Sequence, residues 1–197
     1  MLILWDVDDV LNQLMGEWLH FWHQKQQGKK YTNEFAEITQ NPPHQILGIS
    51  IAEYLESLDE FRNSNFGRNL SPNPKVLNWF EEFGEKYVHF ALTARPRETM
   101  PVQAAWVYDH FGRWIHSVVS VNPSRPGSEC PVHRVFSNKA AFIQWLDRPT
   151  VLIDDSEENI RTAKEHCQTV LLFPQPWNSS NQTAEDVLLE LNQVLQE

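Results

Sequence analysis

Three aspartates, Asp6, Asp8 and Asp9, stand within four positions directly after the apolar run LILW. Carboxylates that close repel one another and are costly to bury unless positive charge sits among them. Three other stretches carry groups that answer this need. Thr93 follows the apolar run YVHFAL, Lys139 opens KAAFIQWL, and Asp154 and Asp155 close TVLIDD. Gathered acids call for a hard divalent cation with oxygen ligands, and Mg²⁺ takes one or two carboxylates together with phosphate and water. Such a cation lets a carboxylate approach an anionic phosphate, while an ammonium and a hydroxyl bind the phosphoryl oxygens as their charge shifts. The chemistry these residue types suit is phosphoryl transfer.

Positioning them is the task of five short apolar runs that read as buried parallel strands: 2–7, 87–94, 115–121, 150–155 and 169–174. Helical patterns with readable ends lie between or after them. Asn73 and Pro74 start a helix that Gly84 stops; Ser137 precedes KAAFIQWL; Ser156 precedes EENIRTAKEHC; Thr183 and Asp186 match a capping box. Alternating strands and helices predict an α/β fold, a doubly wound, Rossmann-like parallel sheet of about five strands. In such sheets ligands bind at the carboxyl ends of the strands, where all of these acids, Thr93 and Arg95 fall.

The stretch between the first two strands is far longer than an ordinary connection. It begins with Leu11, Leu14, Met15, Trp18, Leu19 and Trp22 at helical spacing, and Ser50 with Glu53 forms a second capping box before another apolar stripe. The reading is therefore a helical cap subdomain over 11–72, with 1–10 and 73–197 forming the α/β core. Trp18 and Trp22 lie on the inward stripe and read as core. Phe21 lies off it and is the better candidate to stack on a substrate; Tyr31 and Phe35 are further aromatic candidates.

Composition excludes several classes. The net charge is −10, with no basic run beyond GKK at 28–30, so polymeric nucleic acid is not an expected partner. No stretch approaches the ~20 apolar residues of a membrane span. The apolar start lacks a basic n-region and meets aspartates at once, unlike a signal peptide. Two cysteines without a CxxC pattern fit free thiols in a cytoplasmic protein. The two Asn-x-Ser/Thr matches at 178 and 181 are then chance, and Cys130-Pro-Val-His133 is at most half of a zinc site. The Pro-rich stretch 122–136 reads as a surface loop near the rim of the site.

These motifs together resemble the haloacid dehalogenase superfamily. LILWDVDDVLN is similar to its first motif, an apolar strand followed by Asp-x-Asp; Thr93 fits the second, Lys139 the third, and VLIDD the double-aspartate form of the fourth. The resemblance spans most of the chain, with all four motifs in order. It implies Asp6 as nucleophile and Asp8 as the acid that protonates the leaving group. It also implies Asp6, the carbonyl of Asp8, and Asp155 around Mg²⁺, with Asp154 as ligand or neighbour, and Thr93 and Lys139 on the phosphoryl group. DVD-x-VLN, a cap of this length and LTARPRE most resemble the 5'(3')-deoxyribonucleotidases. That implies a small nucleoside monophosphate as substrate, with another phosphorylated metabolite such as a sugar phosphate as the alternative; Arg95 is a candidate substrate contact. A non-catalytic binder of phosphorylated ligands is a further alternative. A receiver-type signalling module fits less well, having neither a second acidic pair after the lysine nor a large cap. One residue departs from the pattern: Asp9 stands where these enzymes usually carry Gly. It reads either as a cap for the following helix or as a charge that raises the pKa of Asp8.

Overall fold

The computed structural model describes residues 1–26, 34–122 and 136–196. Lys29, Lys30, Tyr31, Cys130, His133 and most of the Pro-rich stretch lie outside the described residues. Five strands, β1 (Leu2–Trp5), β2 (Val88–Thr93), β3 (Ile115–Ser120), β4 (Thr150–Asp154) and β5 (Thr169–Leu172), form one parallel sheet in the order β3-β2-β1-β4-β5. The order steps outward from β1 in both directions, which makes the fold doubly wound. All four residues of β1 are fully buried, as a central strand covered on both faces requires.

The described residues also hold eight α-helices, beside shorter helical turns: α1 (Leu14–Lys25), α2 (Ile51–Asn63), α3 (Asn65–Arg68), α4 (Pro74–Phe83), α5 (Met100–Phe111), α6 (Lys139–Leu146), α7 (Glu157–Ala163) and α8 (Ala184–Val194). Ile3 and Trp5 face a core built with α4, α5 and α8, whereas Leu2 and Leu4 face a smaller one with α6 and α7. This is the period-two alternation of a strand between two helical layers.

Local chemistry accounts for most helix ends. Ser50 and Glu53 form a reciprocal capping box at α2, and Thr183 with Asp186 does the same at α8. Asn73 caps α4 and Ser156 caps α7. At α6 the cap is Asn138, one position after Ser137, its side chain accepting the Ala141 N–H. Helix α5 has no counterpart among the sequence-predicted elements. Its buried face carries Gln103 beside Trp106, Val107 and Phe111, and a polar residue in that stripe hides the apolar period.

Helices α1 to α3 are the insert between β1 and β2. Its two ends meet: Asn12 and Pro72 form an isolated antiparallel bridge, and the Asn73 N–H donates to the Leu11 carbonyl at 2.7 Å. Trp18 and Trp22 are buried, and their cluster runs without a break from the insert into the α4–α5–α8 side of the sheet.

Candidate active site

The sheet delivers its acids to one cavity. Asp6 follows β1 and continues the ladder, its N–H donating to the Ile153 carbonyl at 2.9 Å. Thr93 ends β2, Asp154 ends β4, Asp155 comes next, and Lys139 is the first residue of α6. All five are buried. Asp6, Asp8, Thr93, Arg95, Lys139 and Asp155 line a cavity of about 170 Å³, and Leu14, Met15, Tyr54, Leu58 and Arg62 close it from the insert. The structure thus brings together the sequence-predicted acids, Thr93, Arg95 and Lys139, whereas Phe35 packs edge-on against Trp177 and Phe21 also stays outside the cavity. That ring packs against Phe61 and Phe66 instead, with the Lys25 ammonium over it.

The acidic half of the site is organised around Lys139. Its ammonium donates to Asp6 Oδ1 and Asp154 Oδ2, both at 2.6 Å. Burial works against this charge, but Asp154 and Asp6 outweigh it and hold Lys139 above the ordinary lysine range. The other oxygen of Asp154 accepts from the Ser156 N–H and the Asn159 amide, both at 3.0 Å, so this carboxylate is fully engaged. Asp155 accepts from the Trp177 indole at 2.8 Å. Burial, with Asp154 and Asp9 behind it, pushes the Asp155 carboxyl up to about 8. Asp6 is likewise pushed well up, by burial and then by Asp154 and Asp155 against the pull of Lys139.

These residues fit a divalent cation. Asp6, Asp154 and Asp155 each offer an oxygen within 4.8 Å of the others. Three carboxylates less one ammonium leave two negative charges, which a dication balances, and the donors are the hard oxygens that Mg²⁺ prefers. Asp155 has more spare capacity than Asp154, whose two oxygens are already taken.

Around Asp8 the charge is reversed. Arg95 grips its carboxylate with two bonds, Nε to Oδ2 at 2.7 Å and Nη2 to Oδ1 at 2.6 Å. Arg62 Nη2 adds a contact at 3.0 Å, and Gln103 and Asn12 each donate to Oδ1 at 3.3 Å. Burial would raise this carboxyl, but Arg95 and then Arg62 overrule it and hold it far below the usual carboxylate range. A proton-donor role for Asp8 therefore requires these guanidinium groups to be drawn off first.

Asp9 lies in the left-handed region at φ 64°, a conformation that favours Gly but admits Asp. Asp8 and Asp9 sit in one wide turn, closed by the Asn12 N–H on the Val7 carbonyl at 3.1 Å. The Asp9 carboxylate accepts the Met15 N–H at 2.8 Å, and Asn12 Oδ1 accepts the N–H groups of Asp9 and Leu14. Asp9 thus anchors the first turn of α1. Its carboxyl is pushed up to about 8 by burial, with Asp8 and Asp6 adding to it.

Several site residues had no sequence signal of their own. Arg62 comes from a helix whose periodicity reports only packing, and Gln103 from α5, whose period is hidden. Gln175 donates to the Asp9 carbonyl at 2.5 Å, and Asn178 donates to the Asp155 carbonyl at 2.8 Å; with Trp177 they belong to the loop after β5. Applying the strand-end rule to the fifth strand as well as the others would have pointed to that loop.

No family model matches the sequence, and no curated protein matches it. Solved structures do match the fold. A haloacid dehalogenase-like family hydrolase from Streptococcus pneumoniae is 14% identical with a TM-score of 0.66, over 99% of this chain and 98% of that one. A protein proposed to be a beta-phosphoglucomutase from Thermotoga maritima is 15% identical with a TM-score of 0.62, over 98% and 99%. A proposed hydrolase of the same type from Bacillus subtilis, bound to magnesium, is 12% identical with a TM-score of 0.60, over 100% and 98%. The fold of this chain is that of the haloacid dehalogenase-type hydrolases.

Proposed function

We propose that this protein is a Mg²⁺-dependent phosphomonoester hydrolase that works through an aspartyl-phosphate on Asp6. The observation that carries the reading is the Lys139 ammonium held at 2.6 Å from both Asp6 and Asp154. With Thr93 and Asp155 in the same cavity, a nucleophile, a phosphoryl-binding cation and a metal-binding acid converge at the carboxyl ends of the strands. Asp6, Asp155 and the carbonyl of Asp8 would hold Mg²⁺, with Asp154 fixed behind them by Lys139, Ser156 and Asn159. Mg²⁺ supplies charge that offsets the repulsion between carboxylate and phosphate.

The protein's own residues perform the rest. An Asp6 oxygen attacks phosphorus, the bond from phosphorus to the ester oxygen breaks, and that oxygen takes a proton from Asp8. Asp8 carries that proton only once the Arg95 and Arg62 guanidinium groups are drawn off it. Water then attacks the aspartyl-phosphate, Asp8 takes its proton, and phosphate leaves. Lys139 and Thr93 bind the phosphoryl oxygens throughout. The 11–72 segment acts as the cap, excluding water from the reacting phosphoryl group; its paired ends and the contacts of α1 and α2 with the cavity support this.

Substrate size follows from the cavity. About 170 Å³ is less than the ~300–1,000 Å³ of ordinary small-molecule sites. It suits a phosphoryl group on a short leaving alcohol; a nucleoside monophosphate fits only if the insert swings out. The fold match to a protein proposed to act as a phosphoglucomutase is in keeping with a small phosphorylated metabolite. A cytoplasmic setting is part of this reading.

Hydrolysis of p-nitrophenyl phosphate tests it. Turnover should need Mg²⁺, stop on chelation, and fall by a factor of a thousand or more, in order-of-magnitude terms, in Asp6→Asn. Metal-independent turnover, or an active Asp6→Asn protein, would rule the mechanism out. A panel of phosphorylated metabolites then ranks nucleoside monophosphates against shorter esters.

A further inference from the structure

Arg62 is the guanidinium that the insert sends into the cavity. It sits near the end of α2, its side chain 8% exposed. Nη2 lies 3.0 Å from Asp8 Oδ2 and Nη1 lies 3.3 Å from Asp59 Oδ1, while Nε is buried with no acceptor. Arg95, by contrast, is anchored on Asp8 by bonds of 2.7 and 2.6 Å. Leaving a donor of a buried charged group unmade is costly, so Arg62 is held less tightly than Arg95. Lys139 and Thr93 already serve the phosphoryl oxygens. Arg62 approaches the cavity from the Asp8 side, and in the proposed mechanism Asp8 stands at the leaving oxygen. The more weakly held guanidinium therefore stands beside the leaving group.

We infer that Arg62 is a specificity-determining residue that binds a carboxylate borne on the leaving alcohol, which makes the substrates phosphorylated short hydroxy acids. The cavity already displays the required arrangement: Arg62 and Arg95 share a carboxylate there, that of Asp8. A carboxylate on the substrate would take over the Nη2 contact that Arg62 makes with Asp8 and release Asp8 from one of its two cations. The small volume restricts the leaving group to a few heavy atoms.

This inference rests on the phosphatase reading, and binding separates the two. Calorimetry on Mg²⁺-loaded Asp6→Asn protein compares 2-phosphoglycolate with ethyl phosphate, which lacks the carboxylate. The expected result is at least about tenfold tighter binding of 2-phosphoglycolate. The ratio should drop toward one when Arg62→Gln is added and be partly restored by Arg62→Lys. Should the Arg62→Gln protein not fold, a ratio in Arg62→Lys equal to that of the parent overturns the assignment, and a reduced one supports it. Equal binding of the two esters by the parent, or a preference that survives Arg62→Gln, also overturns it. Wild-type turnover of both esters reports on the phosphatase reading separately. If neither is hydrolysed, that reading fails and the binding ratio still decides the role of Arg62. If neither binds, both fail.

Discussion

At the scale of single residues the site divides into two electrostatic halves that meet at the Asp6–Asp9 turn. Lys139 bonds two of the acids, Asp6 and Asp154, on one side, and Arg95 and Arg62 both bond Asp8 on the other. The acid-rich half is the one whose residues fit a dication. There the indole of Trp177 fixes one Asp155 oxygen at 2.8 Å, which orients the carboxylate and leaves the other oxygen for metal. Partners that orient a ligand in this way typically change metal affinity about 10–100-fold when lost. Trp177→Phe keeps the bulk of the ring but not the donor. The Mg²⁺ concentration for half-maximal activity should therefore rise about tenfold, while activity at saturating Mg²⁺ changes less; a titration of rate against Mg²⁺ measures both.

At the scale of elements, the insert matters because α2 carries Tyr54, Leu58 and Arg62 to the cavity. Its two ends are fixed differently. The first is held by the Ser50–Glu53 capping box, whose loss typically costs ~1 kcal/mol. At the other end Gly67 permits α3 to pass close to the last turn of α2. A Cβ there would lie 2.1 Å from the Phe61 carbonyl oxygen and 2.9 Å from Arg62 Cα, a backbone clash that no side-chain rotation relieves. Gly67→Ala should destabilise the protein by about 2 kcal/mol or more and lower activity by displacing Arg62. Ser50→Ala, about 1 kcal/mol less stable, should leave activity nearer to wild type. Urea unfolding and kcat/KM on the two variants check the contrast.

For the whole molecule, the insert and one face of the sheet share a single apolar cluster, so the cap folds against the core. His89 stands inside that cluster, fully buried, accepting the Trp5 indole N–H on Nδ1 at 3.1 Å and facing the Gly84 carbonyl through Nε2 at 2.8 Å. Those partners suit the neutral Nε2–H tautomer. Burial lowers its pKa from 6.5 to about 4. The unfolded chain then takes up the proton at a higher pH than the folded one. The stabilisation is complete above about pH 6.5 and is lost as pH falls through 4, amounting to roughly 3 kcal/mol. Urea midpoints measured from pH 7 to pH 4 should decline accordingly. The decline should be shallower in His89→Gln, which keeps a donor and an acceptor without titrating.

The sequence alone determined the alternation of strands and helices, the capping boxes at Ser50 and Thr183, and the placing of Asp6, Asp8, Thr93, Lys139, Asp154 and Asp155 on one rim. Each follows from residues close in the chain: apolar period, cap chemistry, and the rule that parallel strands present their carboxyl ends together. Only the tertiary structure decided which cations meet Asp8, since Arg62 lies 54 positions away and Arg95 lies 87. It also sent Phe21 to Phe61 and Phe66 rather than to the cavity, and brought Trp177 to Asp155 from a loop that carries no motif. The physical reason is common to all three. Helical spacing tells which residues share a face, but what that face meets depends on how elements far apart in sequence cross.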